Sequence, residues 1–391
     1  LQTLTFYLRV ILLGVLVVKI VYLMICHKGK HIIGRNFILI TLFFILIVIS
    51  SLSQGQKMET LLYYLSYAYL PVILLDLYRK SPKWISILNV WEKILFAMVL
   101  VDAITMILMP QGLYTTSSYE ANWFLGYKTM RLVYSLPLCV FRVILDYVNN
   151  RRKRLITYLI FLLTIMTLLY SKASAAAIGA IIIFIIFLIC DYSNRLSLNN
   201  NKLGKIVNKF VSRFFSSYTW TIPAYLVIVY IVMNITNYKF IQYIVKNWLN
   251  KDITLTNRTV LWNSCIELIN QNKWLGYGYL TPDNYRELFN NIFYTSPHNM
   301  ILSVLITAGA VGTLCYFLII IDAMRKLYKK NNIVSTIIIM GIICKLIVGI
   351  TSSALVFCFC GFLFEVLSEV DFDNYMISHK KNSTHTLHLK G

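Results

Sequence analysis

Runs of about 20 apolar residues, the length that crosses a bilayer as a helix, follow one another along most of this chain. They fall near 4–25, 32–52, 60–78, 85–109, 128–148, 155–170, 173–190, 218–236, 299–321, 333–349 and 353–368, about eleven segments by length and apolarity. Hydrophobic residues make up 58% of the 391 and charged ones 14%; the mean hydropathy is +0.67. A soluble domain carries about 25% charged residues. Lipid is therefore the main solvent here, and the pattern predicts an all-α, polytopic integral membrane protein. The first run, Leu4 to Ile25, is too long for the apolar core of a signal peptide and ends in His27-Lys28-Gly29-Lys30 rather than at a small-residue cleavage site.

The formal charge of +21 would point to nucleic acid in a soluble protein. Here most Lys and Arg sit in short loops between apolar runs, so the charge reads as orientation and nucleic-acid binding is set aside. Lys28, Lys30 and Arg35 mark the first loop as cytoplasmic, Arg79, Lys80 and Lys83 the third, and Arg151, Arg152, Lys153 and Arg154 the fifth. Arg195, Lys202, Lys205, Lys209 and Arg213 mark the loop after the seventh run, and Arg325, Lys326, Lys329 and Lys330 the one after the ninth. Pro110 to Asn122 has no Lys or Arg. The alternation is unbroken if Tyr170-Ser171-Lys172-Ala173 is a tight hairpin. It predicts the N-terminus outside and the C-terminus inside.

Four parts follow: spans one to eight over 1–236, a long extracytoplasmic loop over 237–297, spans nine to eleven over 298–370, and a cytoplasmic tail over 371–391. A connection of that length is expected to be folded and functional. Within it a helix is predicted from Arg258, capped by Asn257 or Thr256, with Trp262 one turn on and a stop by Asn270-Gln271-Asn272. Trp274 to Tyr279, with two glycines, reads as a loop against the membrane interface. The eight Cys show no zinc spacing and read as small apolar residues. In the tail, Asp371-Phe372-Asp373 could hold a metal nucleotide but is cytoplasmic, and His379, His385 and His388 are sparse.

Charge at bilayer depth is costly and marks function or internal pairing. Arg9, Asp76, Asp102, Arg131, Arg142, Asp146, Lys172, Lys345 and Glu365 are the candidates. Arg142 and Asp146, one turn apart, can pair. Arg131 and Lys172 fall near the outer helix ends, where a cation either snorkels to headgroups or serves a site. Arg258 is on the same side and offers a planar fork for phosphate oxygens. His298 follows Pro297 at a helix start, where the dipole disfavours the imidazolium form. It can act as a general base toward a sugar hydroxyl or can simply cap the helix.

The block Arg258-x-x-x-Trp262, Trp274-Leu275-Gly276-Tyr277-Gly278, Pro297-His298-Asn299-x-x-Leu302 and Gly309-x-x-Gly312 resembles the O-antigen polymerase and ligase superfamily. Asn122-Trp123-Phe124-Leu125-Gly126-Tyr127-Lys128 resembles an outer-face motif of these polymerases, with Thr129 where Asn is usual. Ser171-Lys172 stands where the family often has Ser-Arg, keeping the charge without the fork. The resemblance implies a C-type glycosyltransferase fold in a bacterial cell membrane, with its site on the extracytoplasmic face. It implies a polysaccharide polymerase using an oligosaccharide on undecaprenyl pyrophosphate, with no metal or cofactor, alongside the flippase and chain-length regulator of its pathway. His298 and Arg258 would be catalytic. Lys172, Arg131, Lys128, Trp262, Asn299 and Tyr277 would bind substrate. A ligase passing glycan to a lipid, wall or protein acceptor is the alternative within the superfamily. A polysaccharide transporter or flippase is the alternative outside it; internal repeats and helices broken by Gly or Pro would favour that, and the sequence is read as having neither.

Overall fold

The computed structural model describes residues 2–26, 33–115, 121–149, 154–198, 206, 210, 213–214, 217–247, 258–330 and 332–372. Its helices are α1 (Gln2–Cys26), α2 (Arg35–Ser53), α3 (Met58–Ala68), α4 (Leu70–Tyr78), α5 (Lys83–Leu108), α6 (Met130–Val148), α7 (Leu155–Tyr170), α8 (Ser174–Leu198), α9 (Tyr218–Met233), α10 (Lys239–Asn247), α11 (Arg258–Gln271), α12 (Pro282–Leu288), α13 (Met300–Lys330), α14 (Ile333–Gly349) and α15 (Leu363–Leu367). A two-residue antiparallel ribbon pairs Tyr114 with Asn122. Most of the other described residues are helical, as a multi-pass membrane protein requires. The caps predicted at Asn257 or Thr256, and Asp373, His379, His385 and His388 of the tail, lie outside the described residues.

Among the described residues, four helices are long and apolar enough to cross a membrane, five if the bent pair α3–α4 is one span; α7, α9 and α14 are shorter apolar helices. Helices α5 and α6 carry charge, and the reason they can is internal pairing. Arg131 Nε lies 2.8 Å from Asp102. Arg142 lies 3.2 Å from Glu92 and 3.2 Å from Asp146. All five side chains are buried, so each charge is solvated by its partner rather than by lipid. The core is built on α13 and α14, with α2, α6 and α8 around them. Most of α1 faces outward with apolar side chains.

Three features correct the sequence reading. The eleventh run is not a helix: residues 350–362 are a series of turns, followed only by the short α15. The segment still runs from one end of the bundle to the other. Ile350 accepts from Asn299 at the start of α13, and Glu369 accepts from the Asn36 amide at the start of α2. Irregular backbone at membrane depth is tolerated only inside protein, and here Leu355, Val356, Cys358, Cys360 and Phe362 are buried. Lys345 of α14 donates to the Gly361 carbonyl at 2.8 Å and pairs with Glu365.

The second correction is that helices are broken after all. α13 runs to Lys330, with a break at Gly309 (φ 62°, ψ −167°). The third concerns Trp274–Tyr279, which fills that break instead of simply resting on an interface. The Tyr277 and Gly278 amides donate to the Ile306 and Thr307 carbonyls at 2.7 and 2.9 Å, and the Ala310 amide donates to Lys273 at 2.8 Å. The loop thus satisfies backbone groups that the broken helix leaves open. Its close approach requires glycine: a Cβ on Gly276 would lie 2.5 Å from the Ile306 oxygen, and one on Gly309 would lie 2.2 Å from the Trp274 oxygen.

Candidate active site

A cavity of about 440 Å³ opens where the α6 entrance, the α7–α8 turn, the α11 start, the α13 start and the end of α14 converge. Lys128, Lys172, Arg258 and His298 all line it, and among the described residues no Asp or Glu does. Its volume is in the range of sites that hold small ligands. Three cations lining one hollow raise its potential and favour an anion there.

Arg258 opens α11, and its Nη1 donates to the Thr351 carbonyl at 2.9 Å. That bond orients the guanidinium from the irregular segment after α14. Burial draws the Arg258 pKa below its ordinary value, opposed by the nearby Tyr127. A guanidinium stays protonated under such conditions. A cation already stripped of much of its water gains the most from an anionic ligand.

His298 stands in the left-handed region at φ 50°, which costs an L-residue roughly 1–2 kcal/mol. Its neighbours impose the conformation. Trp262 Nε1 donates to the Pro297 carbonyl at 3.0 Å. Asn299 is fully buried; its amide nitrogen donates to Ile350 at 3.1 Å and its oxygen accepts from the Leu302 amide at 3.1 Å. The second bond is a helix cap. Asn299 therefore supplies a side chain that caps α13, and His298 lines the cavity with Ser296 Oγ 3.4 Å from Nδ1.

Lys172 is the third cation, and its backbone is informative. The Ala173 amide bonds the Leu168 carbonyl and the Lys172 amide bonds that of Leu169, both at 3.0 Å. This is a Schellman turn with Lys172, φ 57°, where glycine is preferred. Among the described residues only three non-glycines have positive φ: Lys172, Asn290 and His298. Asn tolerates that region, whereas a lysine there is uncommon, and both Lys172 and His298 line the cavity.

The remaining candidates stand behind the wall. Arg131 is buried against Asp102 and over the Trp123 ring, 4.8 Å from its centroid. Asp102 also accepts from the Leu125 amide at 2.8 Å, so the pair fixes the turn that leads into Tyr127-Lys128-Thr129. Trp262 lies in a small core with Leu261, Cys265, Leu268, Tyr285, Leu302 and Ile306. Tyr277 donates to the Leu268 carbonyl at 3.1 Å and ties the glycine loop to α11. Sequence reasoning missed Asn291, Phe293, Tyr294 and Thr351, which also line the cavity. Helix α12 before them was signalled by Thr281-Pro282-x-Asn284, which forms a reciprocal capping box.

The fold is that of a multi-pass helical membrane protein, with a cavity lined by Lys128, Lys172, Arg258 and His298. Residues 159–317 match the family model described as O-Antigen ligase, a span that includes Lys172, Arg258 and His298. This match, over less than half of the chain, supports the O-antigen ligase/polymerase superfamily. No curated protein and no solved structure matches the chain.

Proposed function

We propose that this protein polymerises a surface polysaccharide at the extracytoplasmic face of a bacterial cell membrane. It transfers a glycan from undecaprenyl pyrophosphate to a hydroxyl of another lipid-linked repeat unit. The observation that carries the reading is the shared cavity, which Lys128, Lys172, Arg258 and a left-handed His298 line together. Basic loops bias the opposite ends of the spans toward the cytoplasm, which supports an outward-facing site on the 237–297 loop and eleven crossings, the last of them irregular.

Arg258, with Lys172 and Lys128, holds the diphosphate. His298 takes the proton of the acceptor hydroxyl as its oxygen bonds to the anomeric carbon. The bond from that carbon to the diphosphate oxygen breaks, and the electron pair leaves on the lipid diphosphate. The three cations stabilise that growing charge more than they stabilise the bound donor, which is the condition for catalysis. The protonated His298 then returns its proton to water or to the departing phosphate. The cavity accommodates a diphosphate and a sugar ring, with the polyprenyl chain lying outside along the bundle. Arg131, Trp262, Asn299 and Tyr277 act by holding these groups in place.

The description of the matched family favours one second reading, a ligase that moves finished glycan to a different acceptor. Purified protein in liposomes, given only lipid-linked repeat units, should produce a ladder of lengthening chains, and His298→Ala should abolish it. A wild-type protein that makes no ladder but transfers preformed polymer to an added acceptor would establish the ligase. An undiminished ladder from His298→Ala would remove the histidine from the chemistry.

A further inference from the structure

The cavity lining includes residues that the charge chemistry leaves unused. Asn291, Phe293 and Tyr294, from the segment after α12, line it together with His298. We infer that this segment is the acceptor-sugar subsite, and that Phe293 is its stacking platform. The inference rests on the glycan-transfer reading above and extends it to a residue-level specificity determinant.

The segment is built rather than loose. α12 ends in a second Schellman turn, with the Asn291 amide on the Arg286 carbonyl at 3.0 Å and the Asn290 amide on that of Glu287 at 3.1 Å. Asn290 takes the left-handed position, at φ 45°, where asparagine is well tolerated. Asn291 Oδ1 accepts from the Phe293 amide at 2.9 Å, and Arg286 Nε donates to the Ile292 carbonyl at 3.1 Å. The Tyr294 ring meets Phe289 edge-on at 5.7 Å, and Phe289 stacks on the buried Tyr285. Every one of these contacts anchors the backbone or Tyr294. None of them holds the Phe293 ring, and the residue is 75% exposed.

An aromatic ring held out by a fixed turn, at the edge of a cavity that also contains an amide and a base, has the composition of a carbohydrate platform. One face of a pyranose presents C–H groups that stack on an aromatic face, while its hydroxyls need polar partners nearby. Asn291 supplies an amide NH₂ for such a hydroxyl, its oxygen being taken by Phe293. A sugar seated there would turn a hydroxyl toward His298. The diphosphate side and the sugar side then recognise two different molecules, as a transfer reaction requires.

The neighbouring Ile292 provides the internal control. It is 73% exposed but does not line the cavity. If the two apolar side chains merely anchored the loop in lipid, they would be equivalent. The test uses the full chain in nanodiscs and two probes: the repeat oligosaccharide released from its lipid, and undecaprenyl pyrophosphate without sugar. Phe293→Ala should weaken the oligosaccharide by roughly tenfold and leave the lipid diphosphate unchanged. Phe293→Trp should retain both affinities, and Ile292→Ser should alter neither. Wild-type oligosaccharide affinity in Phe293→Ala would overturn the inference, as would equal losses from Phe293→Ala and Ile292→Ser. The underlying transfer reading fails separately, if Arg258→Ala leaves lipid diphosphate binding intact.

Discussion

At the scale of single residues, the informative signal is backbone conformation at chemically awkward side chains. A lysine at the left-handed position of a Schellman turn is a local defect, and it persists at Lys172 beside a left-handed histidine. Strain of this kind is tolerated where function over-determines it. Lys172→Gly therefore separates the two demands. It relieves roughly 1 kcal/mol of strain, so thermal unfolding in detergent should move up or stay level while polymer yield falls. Lys172→Arg should retain most activity because the charge remains. Asn299→Ala makes the contrasting case. It removes a cap worth about 1 kcal/mol and frees the chain on one side of His298, so stability and activity should fall together. A gain of stability in Asn299→Ala would show that the buried amide is not the cap.

At the scale of elements, the glycine loop and the break in α13 form one device. Each glycine clears a specific backbone atom, so a methyl group cannot be absorbed by a flexible side chain. Gly276→Ala and Gly309→Ala should each cost on the order of 2 kcal/mol or more and lower expression, although neither residue lines the cavity. Trp262 links this device to the site. Trp262→Phe keeps the ring and loses the bond to Pro297, a loss of about 1 kcal/mol, and turnover should drop further than stability does. Burial pushes the Cys265 thiol up to about 12. The thiolate is the reactive form, so near pH 8 the native residue should resist maleimide. In Trp262→Ala, which opens the same small core, its labelling should accelerate. Unchanged protection would mean that this core does not depend on the tryptophan.

At the scale of the molecule, most of the helical framework was legible because bilayer thickness sets helix length independently of sequence detail. The hairpin at Ser171 was legible for the same reason, since one continuous helix would have been too long. The irregular crossing at 350–362 was not legible. Its composition is that of a spanning helix, and only its enclosure in protein permits turns there: Phe362 meets Phe43 and Phe44 of α2 and Tyr316 of α13, and Gly361 accepts from Lys345 of α14. Pairings such as Arg131 with Asp102 were equally hidden, because residues 29 apart in sequence carry no local periodic signal. Within the site, the residue types of Arg258 and His298 stood out, but the division of labour between His298 and Asn299 required coordinates. The acceptor side stayed hidden because Phe293 belongs to no periodic pattern.

Donor binding and turnover, measured side by side on two variants, test the central claim most directly. With undecaprenyl-pyrophosphate-linked repeat in nanodiscs, His298→Ala should bind the donor as the wild type does and release no lipid diphosphate. Arg258→Ala should bind it at least about tenfold more weakly, the loss expected for a charge-assisted hydrogen bond. Release of lipid diphosphate by His298→Ala at the wild-type rate, or undiminished donor binding by Arg258→Ala, would contradict the account.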